Sequence, residues 1–181
     1  MPEYNIYQIN DLSNSKVNNI LRIGITEDMF SNDDILKNYL YSYRHDPANL
    51  FHMLHEGRYK NSCYFVIVDQ QDQFIASAGW NHYDNDTALV LTRMVVHPKY
   101  RTKYLIGNLV LPIMLEQTEK YKKVWITAND YNQSIYKWFD RNTQGKSSAL
   151  YSNWPPVYKK FKPIGKQKVN HIEQWVAELE K

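Results

Sequence analysis

Ala88-Leu89-Val90-Leu91-Thr92-Arg93-Met94-Val95-Val96 is the strongest strand signal in this chain, and His97-Pro98 closes it. Proline supplies no ladder donor and restricts the residue before it, so the strand has to stop there. After Lys99-Tyr100-Arg101-Thr102-Lys103, the residues Leu105, Ile106, Leu109, Val110, Ile113 and Met114 recur at helical spacing. Pro112 lies inside that pattern. An interior proline costs about 3 kcal/mol in a regular helix, so a kink or a displaced start is expected.

The pattern continues on both sides of this strand and helix. Downstream, Val124 to Ala128 reads as a strand, Asn132 to Asn142 as a helix and Tyr158 to Ile164 as a further strand. The tail is ambiguous: Val169, Ile172, Trp175, Val176 and Leu179 fit helical spacing, and a final strand is the alternative. Upstream, Tyr64 to Val68 and Phe74 to Trp80 flank a polar segment, Asp69 to Gln73, short enough for a hairpin. Asp84-Asn85-Asp86 marks another turn. Ile35, Leu36, Tyr39, Leu40 and Tyr43 form a helical stripe with cap candidates from Ser31 to Asp34. A second helical piece with Leu50, Phe51 and Leu54 follows Pro47 and ends at Gly57. The chain opens with a strand from Tyr4 to Ile9, then a helix capped by Asp11 or Ser13 that carries Val17, Ile20 and Leu21. Hairpins followed by strand-helix-strand imply a mixed sheet, antiparallel early and with a parallel crossover later.

Bulk properties narrow the class. A chain of 181 residues, 43% hydrophobic and 23% charged, suits one globular domain spanning 1–181. Its net charge of +3 is far from the concentrated basic face of a dedicated nucleic-acid binder. The densest basic run is Lys159, Lys160, Lys162, Lys166 and Lys168, interleaved with Tyr158 and Phe161. Strand alternation accounts for it, with lysines toward water and aromatics toward the core. Cys63 is the only cysteine, so an internal disulfide is excluded, and its apolar neighbours predict a buried thiol. Met1-Pro2-Glu3-Tyr4-Asn5 lacks the basic and apolar regions of a signal peptide, and no apolar run approaches membrane-spanning length. A cytoplasmic protein, with neither nucleic acid nor membrane as partner, is expected.

Three segments carry a resemblance to the GCN5-related N-acetyltransferase (GNAT) family, over about residues 62–164. Phe74-Ile75-Ala76-Ser77-Ala78-Gly79-Trp80 resembles the family's third strand. Leu91 to Lys103 is similar to its strand ending in Val-x-Pro-x-Tyr-Arg, followed by a phosphate-binding loop and helix. Val124 to Phe139 looks like its fifth strand and following helix. The resemblance implies an α/β fold: a mixed, mostly antiparallel central sheet flanked by helices, with a splayed parallel strand pair at the cofactor cleft. It implies acetyl-CoA as acyl donor, no metal, and a small-molecule or peptide amine as acceptor. Met94, Val95 and Val96 then offer backbone groups to the pantetheine arm. Arg101, Thr102, Lys103, Tyr104, Leu105, Ile106 and Gly107 form the diphosphate loop at a helix N-terminus, where the dipole favours an anion. In the family that loop carries small residues where Tyr104 and Ile106 stand, and Gly107 arrives one position late. Asn132 falls at the family's pantetheine-contacting asparagine. Phe139 falls where many members have a tyrosine acid, and Tyr136, one turn earlier, is the candidate substitute.

Acyl transfer from a thioester to an amine needs a deprotonated amine, a polarised carbonyl and a proton for the leaving thiolate. A backbone N–H from Met94 to Val96 can polarise the carbonyl. That strand holds no carboxylate, so His82, Asp84 and His97 are the nearby base candidates, each with an ordinary surface role as the alternative. His82 is taken as the catalytic base candidate, beside Tyr136 as the acid. Arg93 either snorkels from the sheet or points into the cleft toward an acidic substrate group; with Trp80 it is assigned to the substrate side. His52 and His55 share a helix face without a third ligand, which argues against metal. Trp154-Pro155-Pro156 reads as a turn or a rigid loop near the substrate. Two functional readings remain open: an acyl-CoA-dependent N-acyltransferase, or a catalytically inactive protein of the same fold that works by binding.

Overall fold

A computed structural model of the chain describes residues 3–10, 15–30, 62–128 and 155–181. The helices expected over 31–57 and 132–142 lie outside them, as do His52, His55, Asn132, Tyr136, Phe139 and Trp154. Seven strands form one sheet: β1 (Asn5–Ile9), β2 (Cys63–Val68), β3 (Phe74–His82), β4 (Thr87–Val96), β5 (Lys123–Ala128), β6 (Phe161–Val169) and β7 (Ile172–Leu179). Their order is β1-β2-β3-β4-β5-β7-β6. Every neighbouring pair is antiparallel except β4 and β5, which run parallel. The expected mixed, mostly antiparallel sheet is therefore present, with its parallel pair between the strands the sequence assigned to it.

Helices cover both faces. α1 (Ser15–Gly24) buries Val17, Ile20 and Leu21. They pack with Tyr64, Val66, Val68, Phe74 and Val95 on one face of the sheet. On the other face the helix over 105–117 lays Ile106, Val110, Leu111 and Met114 against Phe65, Ile67, Ile75, Trp80, Val90 and Ile126. Pro112 shapes this helix. A π-helical turn, Ile106–Val110, precedes α2 (Leu111–Gln117), which starts with the proline in its first turn. The Leu111 N–H reaches back to Ile106 O, one residue further than an α-helical bond. The missing proline donor is thus absorbed by widening one turn rather than by breaking the helix.

Two expectations about the C-terminal part change. Tyr158 belongs to a 3-10 turn, Pro156–Lys160, and the strand begins only at Phe161 and runs on to Val169. The tail is a strand, not a helix. Asn170 and His171, at φ 54° and 67°, make a two-residue turn in the left-handed conformation that suits the twist of a hairpin. Lys162, Lys166 and Lys168 are exposed on β6. Lys162 and Lys168 stand cross-strand from Glu178 and Glu173.

β4 is irregular in its second half. Between Trp80↔Val90 and Ser77↔Val95, β3 uses residues 77–80 and β4 uses residues 90–95, so β4 carries two extra residues (six minus four). Leu91 and Arg93 take φ of 59° and 52° there. Left-handed backbone costs a non-glycine residue roughly 1 kcal/mol or more. Each extra residue bends the strand and raises its local twist.

Candidate functional site

The bend in β4 coincides with the end of its pairing to β5. The parallel register runs Thr87↔Lys123, Ala88↔Val124, Leu89↔Trp125 and Val90↔Ile126, then stops. Beyond it, Thr127 and Ala128 pair only with β7, while Thr92, Val95 and Val96 pair only with β3. The two strands therefore part from Leu91 onward, and the β5-facing edge of β4 is left without a strand partner. Met94 and Val96 are half-buried along it, and Val95 is buried toward α1.

The parted segment leads directly to a helix N-terminus. A 3-10 turn, Pro98–Lys103, follows β4 and ends at Tyr104, which is left-handed at φ 51°. The first helical bond beyond it runs from the Asn108 N–H to Tyr104 O at 3.0 Å. The amides of Leu105, Ile106 and Gly107 thus lie in the first turn, where an α-helix has donors to spare. Thr102 and Lys103 are exposed beside them.

The two bulky residues of this loop behave differently. Ile106 is 3% exposed and sits in the main core, so its side chain is turned away from the loop mouth. Tyr104 stays half-buried at the mouth. Gly107 is a packing glycine: an added Cβ would come within 2.4 Å of the Tyr158 ring and 2.9 Å of Pro155. Burial against this turn pushes the Tyr158 phenol well above its ordinary value, so it keeps its proton at neutral pH. Arg101 serves as a clamp. Its Nε donates to Val96 O at 3.2 Å and its Nη2 to Met29 O at 2.6 Å, tying the end of β4 to the segment after α1.

His82 and Trp80 are not brought to this cleft. They pair with Ala88 and Val90, at the opposite end of β4. At about 3.3 Å per strand residue that end lies on the order of 20 Å from Met94. Trp80 is buried and donates from Nε1 to Gln117 Oε1 at 2.6 Å. His82 Nδ1 lies 3.2 Å from the Tyr121 hydroxyl, and both rings pack on Tyr121. Burial raises the Tyr121 phenol above its ordinary value. Of the other base candidates, Asp84 accepts from the Asp86 N–H and His97 from the Lys99 N–H, as turn and cap residues do. Among the described residues no group of three or more His, Cys, Asp or Glu side chains is placed to hold a metal ion.

Arg93 contributes its backbone to the site, and here two residues enter that the sequence reading passed over. The Tyr64 hydroxyl lies 3.1 Å from Arg93 O and 3.0 Å from Ser77 Oγ. Tyr64 and Ser77 are both fully enclosed, at 1% and 0% exposure. A carbonyl only accepts, so the phenol donates to Arg93 O, and Ser77 fills the remaining place on the phenol oxygen. The available signal was a tyrosine within an apolar β2 and a serine within an alanine-rich β3, since a buried hydroxyl must find a partner.

No protein-family model and no curated protein sequence matches the chain. Solved structures do. A GNAT-family acetyltransferase from Staphylococcus aureus Mu50 superposes with a TM-score of 0.59 at 12% identity, over 98% of this chain and 100% of that one. The PaiA N-acetyltransferase of Thermoplasma acidophilum, in complex with coenzyme A, gives 0.60 at 9% identity, over 99% of each chain. An acetyltransferase from Streptococcus agalactiae 2603 gives 0.59 at 12% identity, over 98% of each. At such identities the likeness is one of fold, and that fold is the GNAT fold.

Proposed function

We propose that this chain is an acyl-CoA-dependent N-acyltransferase, moving an acetyl group from acetyl-CoA to a primary amine of a small molecule or peptide. The observation that carries the reading is the parting of β4 from β5 after Val90↔Ile126, directly upstream of a helix N-terminus. A strand edge without a partner suits an extended, amide-containing arm, which can pair with it as another strand would. First-turn amides and the helix dipole suit a diphosphate at the end of that arm.

The residues present fit such a donor. Met94, Val95 and Val96 offer backbone groups along the open edge. Leu105, Ile106 and Gly107 offer first-turn amides, with Thr102 and Lys103 exposed alongside. Ile106, whose side chain is in the core, leaves its backbone accessible to this role. By their positions in the sequence, Asn132 would hold the pantetheine region and Tyr136 would return a proton to the thiolate. When bound, acetyl-CoA supplies the activated acyl group, so the protein's own share is to position, polarise and exclude water. His82 and Trp80 have no part in this reading, since they pack at the far end of β4.

A second reading, a protein of this fold that binds without catalysing, rests on Arg101, part of whose guanidinium is spent on the carbonyls of Met29 and Val96. Calorimetric titration with acetyl-CoA and, in parallel, with coenzyme A separates the two. Saturable one-site binding of both, followed by release of free thiol with an amine panel, is the expected result. Binding without turnover of any amine would favour the second reading, and absence of binding would remove the acyltransferase.

A further inference from the structure

We propose that Tyr64 is a positioning residue that aims the Met94 N–H into the cleft, where it polarises the thioester carbonyl; this rests on the acyltransferase reading above. The argument begins with the register. Tyr64 pairs with Gly79, and Gly79 pairs with Thr92, so these three residues form one row across β2, β3 and β4. Directly paired residues present side chains to the same face. Gly79 has none, and the Tyr64 ring can therefore cross β3 and reach β4. There its hydroxyl meets the carbonyl of Arg93, the second of the two left-handed residues in the bent segment.

A peptide unit is planar, and the described chain contains no cis bond. The Arg93 C=O and the Met94 N–H belong to one such unit and point in opposite directions. The hydroxyl arrives from the β2 side. Holding the carbonyl toward it turns the Met94 N–H toward β5, on the side where the two strands have parted. Met94 also has no partner in the β3 register, which passes from Thr92 to Val95. Ser77 Oγ keeps the phenol in place from β3. Two enclosed hydroxyls thus fix the direction of a single amide. A donor aimed in advance costs no reorganisation when charge develops on the carbonyl oxygen.

The experiment follows the Met94 amide by ¹⁵N–¹H correlation spectra of the full chain, titrated with coenzyme A and then acetyl-CoA. Coenzyme A lacks the carbonyl, so the difference between the two titrations isolates the proposed bond. In the wild type the Met94 amide proton should move downfield with acetyl-CoA relative to coenzyme A. In Tyr64→Phe that difference should largely disappear, while Kd for coenzyme A changes by less than about twofold. A Met94 difference that survives in a folded Tyr64→Phe protein would overturn the proposal and leave the acyltransferase standing. Absence of coenzyme A binding by the wild type would sink the acyltransferase reading and this role with it. If Tyr64→Phe does not fold, Ser77→Ala decides: it should reduce the same difference in part, and an unaltered Met94 signal would overturn the proposal.

Discussion

Two neighbouring rows of residues cross the sheet and end differently. Cys63, Trp80, Val90, Ile126 and Ala177 are successive cross-strand partners on five strands, and all five are buried in the main core. Beside them Ile9, Tyr64, Gly79 and Thr92 are partners on four strands, and that row stops at β4. The first row is apolar and continuous, so every backbone group has a ladder partner and every side chain gains from burial. The second includes a hydroxyl, a residue without a side chain and, next to them, two left-handed backbone positions. Pairing is given up there, and a fixed local geometry takes its place. The sheet is held together by one row and opened by the next.

Thiol chemistry offers the largest contrast. Burial pushes the Cys63 thiol up from 9.0 to about 11. At pH 8 its thiolate should be about a hundredfold scarcer than that of an exposed cysteine. An aromatic disulfide reagent should therefore leave the native protein unlabelled over hours and label it at once in urea. Rapid native labelling would mean that the first row opens freely. The sign of the pH linkage follows from the same shift. The folded value lies above the unfolded one, so this contribution to stability is complete below pH 9 and is lost as pH rises through about 11.

Stability should separate the rows next. Val90→Ala removes fully buried methyl groups and should cost about 2–3 kcal/mol, whereas Thr92→Ala should cost less than about 1 kcal/mol. Urea midpoints would show this, and equal costs would erase the distinction between paired and parted halves of β4. Tyr64→Phe should cost about 1–2 kcal/mol, because Arg93 O loses its donor in an enclosed place. A cost near zero would mean that the carbonyl finds water instead. The smallest effect is expected at the strained position itself. Arg93→Gly should be neutral or stabilising by up to about 1 kcal/mol, since glycine adopts φ near 52° without penalty. A clear loss of stability would show that the arginine side chain contributes more than the backbone strain costs.

The readable parts of the fold were those governed by local periodicity. The run from Thr87 to Val96, the break at Pro98, the β2–β3 hairpin and the apolar stripe of α1 all follow from side-chain spacing. The widened turn before Pro112 was legible as an expectation of irregularity, because a missing donor has a local consequence. The tail was misleading because its apolar residues fit helical spacing. Asn170-His171 is a hairpin turn only through its backbone angles, and the partner that makes β7 a strand is β6.

The candidate site divided along the same line. The order strand, Pro98, Arg101, helix was visible, and it located the edge of β4 and the first helical turn. His82 and Trp80 were drawn toward the cleft by nearness in sequence to β4. Antiparallel pairing reverses that nearness: the end of β3 lies beside the beginning of β4, away from Met94.

By itself the sequence determined the strands, the helix after Tyr104, the buried character of Cys63 and the α/β class, because each depends on a few adjacent residues and their water-avoiding faces. Only the tertiary structure decided where β4 leaves β5, that Ile106 turns into the core, that Gly107 makes room for Tyr158 and that Tyr64 holds Arg93. Those outcomes depend on register between segments far apart in the chain. Register is set by the sum of all contacts across the sheet, which no single stretch of residues contains.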